Sequence, residues 1–187
     1  MPRQPGRQTG RQTRREMQNN KLPTTLKAHE KLYYNALLNY CRDYFNVNDN
    51  VIIQLQVRKV KNRTITKFGS INLSDDKNIV KIIDFKDFSI NGRNIIHEFT
   101  HIKQKLQHEI YLEKVNKRYW IIWHGEGFIS HAKYMKASKD DYYNFPWEVE
   151  AYNNMELLSD FNRSPYLNDL RGQNKTLDFL FENNVFQ

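Results

Sequence analysis

Apolar residues recur at every third or fourth position in two stretches of the chain. The first stretch covers residues 26–45, directly after Pro23 and two threonines that suit a helix cap. The second covers residues 94 to about 107. Its apolar stripe consists of Ile95, Phe99, Ile102 and Leu106. Because this spacing places apolar side chains on one face of an α-helix, it predicts a scaffold helix and, later in the chain, a second amphipathic helix.

Between the two predicted helices, three runs are rich in β-branched and aromatic residues. They cover residues 51–60, 64–73 and 78–85, and polar breaks at residues 61–63 and 74–77 separate them. Such runs between polar clusters are typical of strands. We therefore predict an antiparallel sheet built from these three strands.

After the second helix, residues 109–114 and 118–123 again have the composition of strands, with a polar break at residues 115–117. Two such runs joined by a short break predict a β-hairpin. If residues 119–123 form an edge of the sheet, that strand is a candidate for pairing with an extended peptide.

The last third of the chain contains a polar loop, a proline and further helical patterns. The loop passes through residues 139–141 and leads to Pro146. Proline is tolerated in the first turn of a helix, where its missing N–H would have no partner within the helix. We predict a helix over residues 147–159 and partly helical structure around residues 176–182.

The composition indicates one folded domain in a reducing compartment. A chain of 187 residues is long enough for one hydrophobic core, and 13% aromatic residues exceed what a disordered chain carries. Cys41 is the one cysteine, so an internal disulfide is excluded. The N-terminus lacks the apolar core of a signal peptide, and no stretch reaches the ~18 apolar residues of a membrane span. These features predict a soluble protein that is not exported and has no membrane partner.

The net charge of +8 is concentrated at the N-terminus. Residues 1–22 contain six basic residues and one acidic residue, so they account for +5 of it. They include a tandem Gly-Arg-Gln-Thr repeat at residues 6–13 and show no apolar periodicity. We therefore predict a disordered basic arm over residues 1–22 and a single domain over residues 23–187. The arm either stays solvated or binds nucleic acid or an acidic partner.

The second amphipathic helix carries the clearest chemical signal, His97-Glu98-Phe99-Thr100-His101. Histidines four residues apart on a helix lie on the same face, so His97 and His101 can present ring nitrogens to one metal ion. A glutamate next to the first ligand reaches a metal-bound water and can take its proton. The pattern predicts a zinc site with Glu98 as general base.

A catalytic zinc site needs a third protein ligand and one open position. Glu148 and Glu150, near the start of the predicted helix over residues 147–159, are both candidates. They are two residues apart and point in different directions on a helix, so only one of them faces the metal. His124 is an alternative third ligand or a hydrogen-bond donor to the transition-state oxyanion, and Tyr142 or Tyr143 is a second possible donor.

These motifs resemble the gluzincin branch of the zincin metallopeptidases, in particular small forms often encoded by phages or mobile elements. The resemblance covers roughly residues 90–160. Besides the His-Glu-x-x-His helix, it rests on Pro-Trp-Glu-x-Glu-Ala at residues 146–151, on Gln104, and on Trp-His-Gly at residues 123–125. In that family the glutamate three residues before the alanine is the third ligand, which implies Glu148 here. The resemblance also implies a Zn²⁺ cofactor.

One position departs from the family. Relatives usually carry Asp or Asn directly after the alanine, where it hydrogen-bonds a ligating histidine, but this chain has Tyr152. Asn153 and Asn154 are alternative partners for that histidine.

We therefore expect an α+β, zincin-like domain in which a small antiparallel sheet packs with the His-Glu-x-x-His helix and a downstream glutamate-bearing helix. The expected activity is zinc-dependent hydrolysis of a peptide or protein substrate. The alternative is a structural or assembly component, such as a phage virion protein, that binds partners or nucleic acid through the arm. The expected location is the cytoplasm, meaning the host-cell cytoplasm or the virion if a phage encodes the chain.

Overall fold

The computed structural model describes residues 20–58, 65–68, 78–85 and 92–183. Its strands are β1 (Asn20–Lys21), β2 (Val51–Arg58), β3 (Ile65–Phe68), β4 (Asn78–Phe85), β5 (Ile110–Val115), β6 (Arg118–Trp123) and β7 (Glu126–Ser130). Its helices are α1 (Ala28–Tyr44), α2 (Gly92–Leu106), α3 (His131–Tyr134), α4 (Lys139–Tyr143), α5 (Pro146–Asn154), α6 (Leu157–Arg163), α7 (Pro165–Asn168) and α8 (Lys175–Glu182). The fold is thus mixed α and β. Within these ranges, no helix has both the length and the apolar character needed to cross a bilayer.

The first sheet has the strand order β1-β2-β4-β3. Strand β2 pairs in parallel with β4, from Val51 opposite Asn78 to Arg58 opposite Phe85, whereas β3 pairs antiparallel with β4. The predicted antiparallel arrangement of all three strands was therefore wrong for β2 and β4. A run of strand-forming residues predicts a strand but does not determine its partner, and β4 lies between β2 and β3 although it follows both. Residues 59–64 and 69–77 lie outside the described ranges.

The second sheet is an antiparallel meander in the order β5-β6-β7. The predicted hairpin is confirmed, and β7 is a further strand that the sequence analysis missed. Both connections are two-residue turns with positive φ angles, 49° and 66° at Asn116 and Lys117, and 47° and 84° at His124 and Gly125. Such turns match the right-handed twist of paired strands. Since β6 is central, it is not the edge strand that pairing with a peptide would require.

The apolar stripe of α2 faces the main core. Ile95, Phe99 and Ile102 are fully buried there, and Leu106 packs against them with part of its side chain exposed. The same core contains apolar side chains of α1, β2 and the C-terminal helices. A smaller cluster of Ile121, Phe145 and Trp147 joins the second sheet to the start of α5. The two cores therefore hold α2 and α5 in place on either side of the candidate site.

Two C-terminal predictions need correction. The predicted polar loop at residues 139–141 is the start of α4, because the side chains and backbone N–H groups of Ser138 and Asp141 bond each other reciprocally and cap a helix there. The predicted helix over residues 147–159 is divided into α5 and α6.

At the N-terminus, Asn20 and Lys21 of the predicted arm form β1 beside β2. Leu22, also assigned to the arm, packs against the main core, so the prediction was wrong for residues 20–22, and residues 1–19 lie outside the described ranges.

Gly92, the first residue of α2, packs where a larger residue would not fit. A β-carbon at Gly92 would lie 2.6 Å from Leu158 Cδ1 and 2.8 Å from the Tyr33 hydroxyl, and both neighbours are buried. We expect Gly92→Ala to destabilise the protein by about 1–3 kcal/mol, which urea unfolding would measure. Gly127→Ala is the control, because its β-carbon meets only Ile122 Cδ1, at 4.0 Å. Equal stability of the two variants would contradict the prediction.

Candidate metal centre

Helices α2 and α5 bring two histidines and one glutamate together. His97 and His101 lie one turn apart on α2, and their Nε2 atoms are 3.2 Å apart. Glu148 on α5 places Oε2 3.4 Å from His97 Nε2 and Oε1 3.5 Å from His101 Nε2. Among the described residues, these three form the one group of His, Cys, Asp or Glu side chains close enough to share a metal ion.

The spacing of these atoms suits a tetrahedral metal ion. Zinc binds histidine nitrogen at about 2.0–2.1 Å and carboxylate oxygen at about 2.0–2.2 Å, so two ligand atoms of a tetrahedral site lie about 3.3–3.6 Å apart. The two histidine nitrogens, 3.2 Å apart, are close to that range, and each lies 3.4 or 3.5 Å from a different oxygen of the Glu148 carboxylate. The side chain of Glu148 is 3% exposed, and its Oε2 has no hydrogen-bond partner among the described residues. A buried carboxylate oxygen of this kind is what a cation would satisfy.

The pKa values of Glu148 and His101 are both shifted from their ordinary values. Burial alone would raise the pKa of Glu148, but the adjacent His101 and His97 and a hydrogen bond from the Tyr142 hydroxyl lower it to about 2. Burial would lower the pKa of His101, but Glu148, a hydrogen bond to Gln104 and the charge of Glu98 together raise it above its ordinary value of 6.5. Without a metal, the site therefore favours an ionised Glu148 beside a protonated His101.

Metal binding should consequently weaken as the pH falls. A metal ion binds the neutral imidazole, and the raised pKa of His101 means that protons compete from above pH 6.5 downward, while Glu148 stays ionised. Below the His101 pKa we expect the apparent affinity to fall about tenfold per pH unit for one competing proton. Competition against a coloured chelator at pH 8, 7 and 6 measures this. The same affinity at all three values would contradict it.

Glu98 lies on α2 beside His97, and its exposed fraction is 7%. Its charge acts on the same cluster of side chains. Burial and the interactions with Glu148 are the main causes that raise the pKa of Tyr142, and Glu98 adds to them. Burial, Tyr143, Glu148 and Glu98 likewise raise the pKa of Tyr152 to about 12. The Glu98 carboxylate therefore belongs to the electrostatic environment of the candidate site.

His101 has a hydrogen-bond partner on the side of its ring away from Glu148. Its Nδ1 lies 2.8 Å from Oε1 of the buried Gln104. Gln104 Nε2 donates to the backbone oxygen of Trp147 at 2.9 Å and to Glu150 Oε2 at 3.0 Å. Because a ligating histidine is oriented by the bond that its other nitrogen makes, Gln104 is in the position to orient His101.

His97 lacks a comparable partner. Its Nδ1 is buried and makes no hydrogen bond within the described residues. Tyr152 packs its ring against the His97 ring instead, with centroids 4.6 Å apart. Of the two asparagines suggested as replacements for the missing Asp or Asn, Asn154 donates to Thr100 Oγ1 at 3.3 Å. The ring of His97 is thus held by packing against Tyr152.

None of the other candidate residues belongs to the group formed by His97, His101 and Glu148 among the described residues. Glu150 accepts from Lys103 at 2.8 Å and from Gln104, so it faces away from the cluster. His124 is exposed in the turn between β6 and β7, with its ring against Trp123. Tyr142 reaches Glu148, whereas Tyr143 is 40% exposed and has its ring against that of Tyr152.

The sequence pattern indicated Gln104 only as part of the family resemblance, and it did not indicate Lys103 or Glu109. Lys103 bonds both Glu109, at 2.7 Å, and Glu150. The position of Gln104, three residues after His101 on the same helix, is the signal that could have revealed its contact.

The described residues define a mixed α and β protein with a group of two histidines and one glutamate that could hold a metal ion. We compared the chain with protein-family models, with curated proteins and with solved structures, and no match was found in any of the three. The chemistry of this site therefore has to be inferred from its own residues.

Proposed function

We propose that this protein is a zinc-dependent, gluzincin-type metallopeptidase with a zincin-like domain. The observation that carries the proposal is the convergence of His97, His101 and Glu148, whose ligand atoms lie within 4.8 Å of one another, with Glu98 next to the first histidine. Two histidines and one glutamate are a ligand set of catalytic zinc sites that leaves one position open. The partial exposure of the histidines, 13% and 16% for His97 and His101, is consistent with access from solvent.

Each residue has a defined role in this proposal. His97, His101 and Glu148 hold the ion. When bound, zinc supplies Lewis-acid chemistry, which polarises a peptide carbonyl and activates water. Glu98 accepts the proton that the attacking water loses and returns it to the nitrogen of the leaving amine. One peptide bond and one water are consumed, and Glu98 ends in its starting state. Tyr142 helps to lower the pKa of the Glu148 carboxyl and so favours its ionised form.

Metal content and peptide hydrolysis, measured together, test the proposal. Protein purified from zinc-supplemented medium should contain about one zinc ion per chain and should cleave an unfolded protein substrate such as casein. A chelator should stop the cleavage, and added zinc should restore it. Protein that purifies without metal, and takes up none afterwards, would overturn the ligand assignment. Cleavage that persists in a metal-free sample would overturn the mechanism.

A second candidate function is a metal-holding structural or assembly component, and the surroundings of His97 favour it. Tyr152 packs against this ring, and Nδ1 has no acceptor among the described residues that would strengthen the ligand. On this hypothesis the metal stabilises the packing of α2 and α5, while the basic residues 1–22 bind partners or nucleic acid. Zinc that raises the melting temperature, in a protein that cleaves none of a diverse peptide library, would favour this candidate over the enzyme.

A further inference from the structure

Gln104 lies between two of the three residues that converge on the candidate metal centre. Its side chain is fully buried. Oε1 lies 2.8 Å from His101 Nδ1, and Nε2 lies 2.9 Å from the backbone oxygen of Trp147, which directly precedes Glu148. One amide therefore bonds a ligand candidate on α2 and the backbone next to a ligand candidate on α5.

The groups around the Gln104 side-chain amide show which of its ends is the oxygen and which is the NH₂ group. The Trp147 oxygen and the Glu150 carboxylate both accept hydrogen bonds, and both lie within 3.0 Å of the same end of Gln104. That end must be the NH₂ group, because it is the part of the side chain that donates. Oε1 then faces His101 and accepts from Nδ1–H. The contact of Nδ1 with Gln104, at 2.8 Å, is shorter than the 3.5 Å between Nε2 and Glu148, so it favours the proton of a neutral His101 on Nδ1, with the lone pair of Nε2 toward Glu148 and His97.

Charged residues hold the NH₂ end in turn. Glu150 accepts from Gln104 Nε2 and also from Lys103 at 2.8 Å, and Lys103 donates to Glu109 at 2.7 Å. These bonds join α2, α5 and the residue just before β5. Since the bonds to charged groups are stronger than neutral ones, they favour a single orientation of the Gln104 amide.

We propose that Gln104 is a positioning residue that sets the metal-binding tautomer of His101 and fixes the separation of His101 and Glu148. This deepens the proposed function, because it explains how the ligands are arranged before a metal arrives. It concerns the metal-free protein, however, so it is testable even without peptidase activity.

The first measurement determines which ring nitrogen of His101 carries the proton. Long-range ¹H–¹⁵N NMR of the metal-free protein, at a pH where the ring is neutral, should show the proton on Nδ1. Gln104→Leu should lose that preference, because leucine offers no acceptor. Gln104→Glu should keep it, because one carboxylate oxygen still accepts from Nδ1–H, although both donated bonds are lost. Loss of the Nδ1–H signature in Gln104→Glu, or its retention in Gln104→Leu, would overturn the proposal.

Zinc affinity is the second measurement. Gln104→Leu should bind zinc about 10- to 100-fold more weakly than the natural protein, as expected when the partner of a metal-binding histidine is removed. Gln107→Leu is the matched control directly after the same helix, because Gln107 also donates to a backbone oxygen, that of Phe45 at 3.1 Å, instead of to the residues of the candidate site. Equal zinc affinity of the two variants would overturn the proposal.

These outcomes separate the two levels of inference. If the natural protein binds no zinc, the proposed function fails, and the tautomer measurement still decides the role of Gln104. If the natural protein binds zinc and Gln104→Leu binds it equally well, only the role of Gln104 fails. If Gln104→Leu does not fold, the tautomer measured in Gln104→Glu decides the question.

Discussion

Glu148→Gln should lose at least about a hundredfold in zinc affinity, more than the change expected when only the partner of a ligand is removed. The carboxylate of Glu148 reaches both histidine nitrogens at 3.4 and 3.5 Å, and its pKa of about 2 keeps it ionised at neutral pH. Glutamine has the same shape but replaces a charged oxygen donor with a neutral amide. Competition titrations against a chelator of known affinity give the size of the loss.

Glu150→Gln is the matched control for this prediction. Glu150 is on the same helix, two residues further on, and its carboxylate bonds Lys103 and Gln104. The amide oxygen of a glutamine can still accept a bond from either neighbour, so we expect the zinc affinity to change much less. If Glu150→Gln loses the metal and Glu148→Gln keeps it, the third ligand has been assigned to the wrong glutamate.

Glu98→Gln should lower kcat by about 10²–10⁴-fold, the usual contribution of a general acid–base group, and should leave the zinc content unchanged. Glu98 is buried next to His97, and its charge acts on His101, Tyr142 and Tyr152. Glutamine preserves the volume of the side chain but cannot take a proton from water. Hydrolysis of a fluorogenic peptide, with zinc measured in the same sample, separates the loss of proton transfer from the loss of metal.

Glu113→Gln serves as the control for Glu98→Gln. Glu113 is exposed on β5, so the same change of charge is made away from the candidate site. Its activity should equal that of the natural protein. Full activity in Glu98→Gln, with the expected zinc content, would contradict the role given to Glu98 while leaving the metal site intact.

Apolar periodicity predicted the helices well but said less about the sheets. Ile95, Phe99 and Ile102 are buried as the stripe of α2 required, because helix geometry alone places residues three and four apart on one face. The pairing of β2 with β4 and the addition of β7 to the hairpin were not predicted. Strand partners depend on contacts far apart in the chain, and a short run of residues contains no information about which strand will lie beside it.

The division of residues 147–159 into α5 and α6 has a similar explanation. Their sequence favours helix throughout, and both halves bury apolar residues, Trp147 and Ala151 in α5, and Leu157 and Leu158 in α6. Between them, the backbone N–H groups of Met155 and Glu156 bond the third residue before them instead of the fourth, and this interruption is not visible in the apolar periodicity.

By itself, the sequence determined which side chains can share one face of α2. His97 and His101 lie together because they are four residues apart on a helix, and no other part of the fold is needed to bring them close. Only the tertiary structure decided that Glu148, and not Glu150, meets them, and that Gln104 links His101 to the backbone of Trp147. Gln104 and Trp147 are 43 residues apart in the chain. Such contacts depend on how the two cores set α5 against α2, which local spacing cannot specify.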